Sequence, residues 1–160
     1  MNQLLADALA NSMRQSGKSI AVSESITSGL LQNYLAMPSG SSTYYRGGIT
    51  CYALQSKIAI LRIDPKLVFE NEAVTSKVAM EMATSVCRLF EADIGIGTTG
   101  FAQPPSGEER PYAFYAIAHN GGIAKVEHVY GDGLSRNEMR MRVAEAAIGD
   151  LIGLLAAQTG

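Results

Sequence analysis

The sequence predicts a three-layer α/β/α domain built on a mixed β-sheet. Three observations carry that expectation. Short apolar runs alternate with segments of helical periodicity over the first hundred residues. Two later runs flank Asn120-Gly121-Gly122, a hairpin signature, so part of the sheet is antiparallel. The 160 residues hold no internal repeat and no linker, and they suffice for one hydrophobic core, so 1–160 is read as a single domain.

Each element has a local reason. Leu4, Leu5, Ala8, Leu9 and Met13 recur at helical spacing, predicting an amphipathic helix over 2–16 that stops at Gly17. Ser19-Ile20-Ala21-Val22-Ser23 is a short buried strand. A Ser/Thr-rich turn leads from it into a helix over about 27–36, closed by Met37-Pro38-Ser39-Gly40. Tyr44 to Leu54 reads as a strand, with Gly47-Gly48 marking a bulge or a close backbone approach. Ser56 to Leu61 is a short helix carrying Lys57. Asp64-Pro65 is a cap followed by proline at the first helical position. Thr75 caps the next helix, whose apolar face carries Val78, Met82, Val86 and Leu89. Ile94 and Ile96 lie on a strand whose Gly95 and Gly97 leave room for close packing. Pro104 to Glu109 is a loop, residues 111–119 and 123–130 are the hairpin strands, and a last helix runs from about Ser135 to Ala157.

Composition narrows the function. An apolar share of 47% with 18% charged residues is that of a globular chain. A net charge of −2 gives no electrostatic footprint for nucleic acid or an anionic membrane. No apolar run reaches the roughly 18 residues of a membrane span, and the first residues lack a basic stretch followed by an apolar one. The expected location is therefore the cytoplasm. Cys51 and Cys87 lie on a predicted strand and helix without metal-ligand spacing, so they read as buried free thiols, and no metal or organic cofactor is expected. The apolar faces of the first and last helices and the edges of the hairpin lead to an expected homodimer or higher homo-oligomer.

Three separated segments hold the parts of a serine nucleophile that works without histidine. A serine hydroxyl needs a base to take its proton, and a lysine serves when burial lowers its pKa. Ser25 follows a buried strand and precedes a helix, which exposes its hydroxyl where free N–H groups favour negative charge; the alternative is a plain N-cap. Tyr52 and Lys57 are placed to share one pocket, the phenol relaying a proton and the amine acting as base; the alternative is an ordinary half-buried tyrosine and a solvated lysine. Thr98-Thr99-Gly100 ends a strand, where main-chain N–H groups could hold an oxyanion or a phosphate. Arg136 and Arg140, four apart on one helix face, could clamp a phosphate, or form a solvated basic face. His119 and His128 fall in what reads as a surface hairpin and fit no Ser-His-Asp arrangement.

In this order the segments resemble the C-terminal domain of the competence/damage-inducible protein family CinA. Ser23-Glu24-Ser25-Ile26-Thr27-Ser28-Gly29 matches the pattern A-E-S-C-T-G-G, and Pro38-Ser39-Gly40-Ser41-Ser42 with Tyr44-Tyr45 and Gly47-Gly48 matches P-G-S-S, an aromatic and G-G. Tyr52 to Lys57 keeps both ends of Y-S-N-E-A-K, and Glu72 to Ala83 follows G-A-V-S-x-x-V-A-x-x-M-A. The resemblance spans about residues 5–157. It implies hydrolysis of the carboxamide of nicotinamide mononucleotide (NMN) to nicotinate mononucleotide and ammonia, the stand-alone members being nicotinamide-nucleotide amidases. Ser25 would be the nucleophile, Lys57 its base and Tyr52 the proton partner, with Thr27, Ser42, Thr99, Gly100, Arg136 and Arg140 binding a small nucleotide. The departures are concrete. T-G-I-A-G-P-x-G-G reads Thr99 to Gly107 with Gln103 and Pro105 replacing small residues; Ile26 and Ser28 replace a cysteine and a glycine; Arg110 to Tyr115 is bulkier than K-P-V-G-T-V. An alternative reading is therefore a catalytically weak or inactive member that binds a nucleotide-like ligand or a protein partner.

Overall fold

The computed structural model describes residues 1–157; the last three residues of the expected domain, 158–160, lie outside them. The elements run α1 (Gln3–Ser16), β1 (Ile20–Glu24), α2 (Leu30–Ala36), β2 (Tyr45–Thr50), α3 (Leu54–Ala59), α4 (Pro65–Phe69), α5 (Ser76–Phe90), β3 (Ile94–Phe101), β4 (Tyr112–His119), β5 (Gly122–Tyr130) and α6 (Arg136–Ala156). The sheet has the order β2-β1-β3-β4-β5. β1 is parallel to both neighbours, while β3, β4 and β5 form an antiparallel ladder. The mixed sheet and three layers are as the sequence predicts.

The alternation of large and small residues assigns the faces. Val22, Ile96 and Ile117 lie side by side across three strands and are fully buried with Leu9, Met13, Leu31 and Ile148 under α1, α2 and α6. Ala21, Gly95 and Ala118 form one row on the opposite face, and Ser23, Gly97 and Ala116 the next. Those small rows admit α5 so closely that a Cβ on Gly95 would stand 2.1 Å from the Ala83 carbonyl oxygen. The I-G-I-G pattern thus sets a thick layer on one face and a close helix on the other.

Local differences from the sequence reading have physical causes. The second helix begins at Leu30, not near 27, because Ser28 and Gly29 take left-handed backbone angles (φ 48° and 94°). β2 ends at Thr50, since Cys51, Tyr52 and Ala53 leave the sheet to start the crossover. Cys51 is accordingly buried in that crossover rather than in a strand, and Cys87 is half-buried; both are free. Asn71, Glu72 and Ala73 form a left-handed turn (φ 45°, 53° and 62°) that no glycine announces. His119 is buried opposite Ile94, not on a hairpin surface. Among the described residues no helix is long and apolar enough to cross a membrane.

Candidate active site

Ser25 stands one residue past the end of β1, where its N–H donates to the Thr98 carbonyl (3.0 Å). That bond extends the ladder one step and turns the side chain toward the α5 face, the side of Ala21 and Ser23. Glu24, immediately before it, is fully buried and accepts from the main-chain N–H groups of Gly29 (3.0 Å), Leu31 (3.1 Å) and Gln32 (2.8 Å). A carboxylate therefore satisfies the otherwise unpaired donors at the start of α2 and anchors the turn at both ends. Sequence reasoning missed this role. Its signal was an acid in an apolar strand directly before a helix.

Lys57 reaches Ser25 from the crossover and is 1% exposed. Its Nζ lies 3.0 Å from Ser25 Oγ, 2.8 Å from the Cys51 carbonyl oxygen and 3.3 Å from that of Tyr52. Burial lowers its pKa below the ordinary lysine value, and no carboxylate pairs with it among the described residues to counter that. A neutral amine carries two hydrogens and one lone pair. With the hydrogens donated to the two carbonyls, the lone pair is left facing the serine O–H, the geometry in which a lysine can take a serine proton.

The phenol of Tyr52 is elsewhere. The residue is 58% exposed, and its hydroxyl accepts from Arg136 Nη2 (3.0 Å) rather than meeting Ser25 or Lys57. Only the Tyr52 main chain joins the serine–lysine centre, because the chain turns away from the sheet at this position. The other guanidinium nitrogen of Arg136 donates to Gln103 Oε1 (3.4 Å), so one arginine spans the crossover and the loop after β3. Arg140 points differently: its Nε donates to the Ile26 carbonyl (3.2 Å) and its Nη2 to that of Thr27 (3.3 Å). It braces the Ser25–Gly29 turn from outside. That turn leaves the N–H groups of Ile26, Thr27 and Ser28 without a hydrogen bond among the described residues.

The remaining predicted residues separate into near and far. Thr27 is buried and shares a 2.8 Å hydroxyl hydrogen bond with Thr98, tying the turn to β3. The Thr99 hydroxyl donates to the Ala73 carbonyl (2.8 Å), fixing the left-handed turn against β3. Gly100 is dictated by packing, since a Cβ there would come within 2.4 Å of the Ala113 Cβ. Ser42 lies in a short 3-10 turn (Ser41–Thr43) before β2. Because Ile20 pairs with Tyr45 and Glu24 with Thr50, that turn sits at the start of the strands and Ser25 at their finish, about 16 Å away at ~3.3 Å per residue. The structure does not bring Ser42 to the serine–lysine centre. Among the described residues no cluster of His, Cys, Asp and Glu could hold a metal ion.

An α/β/α domain with a buried serine–lysine contact just past strand β1 is the class that the fold and this geometry define. The chain belongs to the CinA C-terminal domain family, whose model matches residues 2–155. It is 37% identical over 127 residues to a Listeria innocua serovar 6a protein named for competence-damage induction, covering 79% of this chain and 31% of that protein. A CinA-like protein of Syntrophomonas wolfei is 32% identical over 149 residues, covering 92% of this chain and 36% of that one. The chain thus spans about a third of the length of these curated relatives. The crystal structure of a CinA superfamily protein from Klebsiella pneumoniae superposes with a TM-score of 0.88 at 22% identity, covering 96% of this chain and 97% of that one, and shows the same fold.

Proposed function

We propose that the domain is an amidohydrolase acting on the carboxamide of a nicotinamide nucleotide, NMN in particular, and releasing nicotinate mononucleotide and ammonia. The observation that carries this reading is the 3.0 Å contact between the Lys57 amine and the Ser25 hydroxyl, made by a lysine whose pKa burial depresses. Lys57 takes the Ser25 proton as Oγ attacks the amide carbon. The N–H groups of Ile26 and Thr27, left unpaired in the turn that follows Ser25, are the donors assigned to the oxyanion. As the C–N bond breaks, the proton held on Lys57 passes to the leaving nitrogen, giving ammonia and a serine ester. Water, deprotonated by Lys57, then attacks the ester carbonyl; the C–Oγ bond breaks, nicotinate mononucleotide leaves, and Lys57 returns the proton to Ser25 Oγ. Lys57 serves both steps, so the reading does not need the Tyr52 phenol as proton donor. Arg136, exposed at the rim, suits the nucleotide phosphate better than Arg140, whose donors hold the turn.

The test is ammonia release from NMN by the purified chain. Turnover that falls by about a thousandfold or more in both Ser25→Ala and Lys57→Ala supports the reading. Absence of turnover above those variants sinks it. One observation favours a second reading, a binding protein without turnover: Arg136 bridges Tyr52 and Gln103, and Gln103 departs from the small residue of the resembling pattern. Thermal stabilisation by NMN without ammonia release would identify that case.

A further inference from the structure

Three neighbouring strands finish around Ser25. β2, β1 and β3 are adjacent and parallel, with Thr50, Glu24 and Thr98 in one row. β1 and β2 stop at that row, and β3 runs on to Phe101. The middle exit carries Ser25, the segment after β2 carries Tyr52, and the loop after β3 carries Gln103. The outer two strands flank β1 about 10 Å apart, two strand spacings of ~4.8 Å. A side chain that joins the two outer segments therefore passes above the end of β1.

Arg136 makes that join. Its Nη2 donates to the Tyr52 hydroxyl (3.0 Å) and its Nη1 to Gln103 Oε1 (3.4 Å). Beneath the bridge the centre is closed in, with Ser25 8% exposed and Thr27, Lys57 and Thr99 buried around it. The aim of Gln103 is set by its neighbours. Ala102 before it is buried, and Pro104-Pro105 after it confine its backbone to extended angles. The resembling pattern has glycine at this position, which offers no side-chain acceptor, so the second end of the bridge is particular to this chain. Both acceptors are neutral, and among the described residues no carboxylate pairs with Arg136. An oxyanion brings charge and several oxygens to the same two nitrogens, and charge-assisted bonds are roughly twice as strong as neutral ones, so it displaces both partners.

We propose that Arg136 is a latch across the serine–lysine centre that an oxyanion releases, and that Gln103 sets how firmly it holds. When a phosphate takes the two Nη nitrogens together, Tyr52 and Gln103 let go, and the segments after β2 and β3 are free to part above Ser25. The catalytic consequence rests on the amidase reading: the phosphate of the substrate opens the site as well as binding at it. A carboxamide without a phosphate meets a closed latch. The opening comes from the differential affinity of the anion for the released state, so the phosphate need not be attached to the carboxamide.

Inorganic phosphate and nicotinamide riboside, which is NMN without its phosphate, test the latch and its consequence separately. In NMR spectra of the labelled chain, phosphate should shift the Arg136 Nε–H, the Gln103 side-chain amide and the Tyr52 ring together. The shifts should saturate with a Kd of about 10 mM or below, and sodium chloride at matched ionic strength should not cause them. Arg136→Ala should abolish the response of the other two residues. Gln103→Gly should bind phosphate about threefold more tightly, one competing acceptor being gone. In turnover, phosphate should raise kcat/KM for nicotinamide riboside about fivefold while raising KM for NMN by competition. Gln103→Gly should hydrolyse the riboside faster without phosphate and respond to it less. Opposite signs on the two substrates are not expected of an arginine that merely braces the fold. Absence of phosphate binding, or a shift at Arg136 without movement at Tyr52 and Gln103, overturns the latch whatever the activity. Riboside turnover indifferent to phosphate in a chain that hydrolyses NMN overturns it too. If neither compound is hydrolysed, the amidase reading falls and the spectra alone decide the latch.

Discussion

Ser28 and Glu72 carry side chains at backbone angles that suit glycine. Their φ values are 48° and 53°, and the resembling family pattern has glycine at both positions. A Cβ in the left-handed region costs roughly 1–2 kcal/mol, partly offset by the lower unfolded-state entropy of a non-glycine residue. Ser28→Gly and Glu72→Gly are each expected to raise unfolding free energy by ~0.5–1 kcal/mol, read as a higher urea midpoint at unchanged slope. Lys57 gives the pH prediction. Its native pKa is depressed by burial, and the proposed mechanism uses the neutral amine as base, so turnover should be lost as pH falls through that lowered value. The same shift makes stability rise with pH between the lowered native value and the ordinary lysine value, because there the unfolded chain binds the proton that the native one has released. Lys57→Met should abolish that slope; a profile indifferent to the substitution would show that Lys57 is not the titrating base. At this scale the Ser25–Lys57 contact was legible because a strand–serine–helix turn and a lysine on a short helix have few alternative placements. The Tyr52 phenol was not, since a residue leaving a strand can turn to either side and Arg136 comes from the far end of the chain.

Elements decide which arginine does what. α6 begins at a capping box, Ser135 with Glu138, which places Arg136 in its first turn above the crossover and Arg140 one turn further, against the Ser25–Gly29 turn. The four-residue spacing put both on one face, but the face meets two different partners along its length. Arg136→Ala is therefore expected to raise KM for the nucleotide several-fold with kcat nearly kept. Arg140→Lys, which cannot donate to both carbonyls in one plane, should lower kcat about tenfold or more with KM little changed. Tyr52→Phe should cost far less than Ser25→Ala, within about tenfold in kcat. Steady-state kinetics on the three variants separates these outcomes. The strands were readable from the alternation of Ile with Gly, and α5 from its Thr75 cap, which accepts from Val78 N as expected. The start of α2 and the turn at 71–73 were not readable, because left-handed residues other than glycine leave no mark in composition.

For the molecule as a whole, the exposed edge strands decide how the sheet behaves toward other copies. β5 runs nine residues along one edge, a template for strand addition in a chain whose net charge of only −2 gives weak mutual repulsion. Two devices guard it. Ala118 pairs with Ile123 and Ile117 with Lys125, so Ala124 is an extra residue that bulges and twists the edge. Beyond the bulge, Lys125 lies 3.0 Å from Glu127 and 3.4 Å from Asp150, a charged network where an open apolar edge would otherwise continue from Ile123 to Val129. Both devices act against pairing of another strand at the hairpin edge. Replacing both residues, Lys125→Val with Glu127→Val, leaves the net charge unchanged and removes only the guard. The double variant should keep the native circular dichroism spectrum yet form larger species by light scattering at concentrations where wild type does not change size. If it scatters no more than wild type, the bulge alone protects the edge, and the charges belong to the packing of β5 on α6.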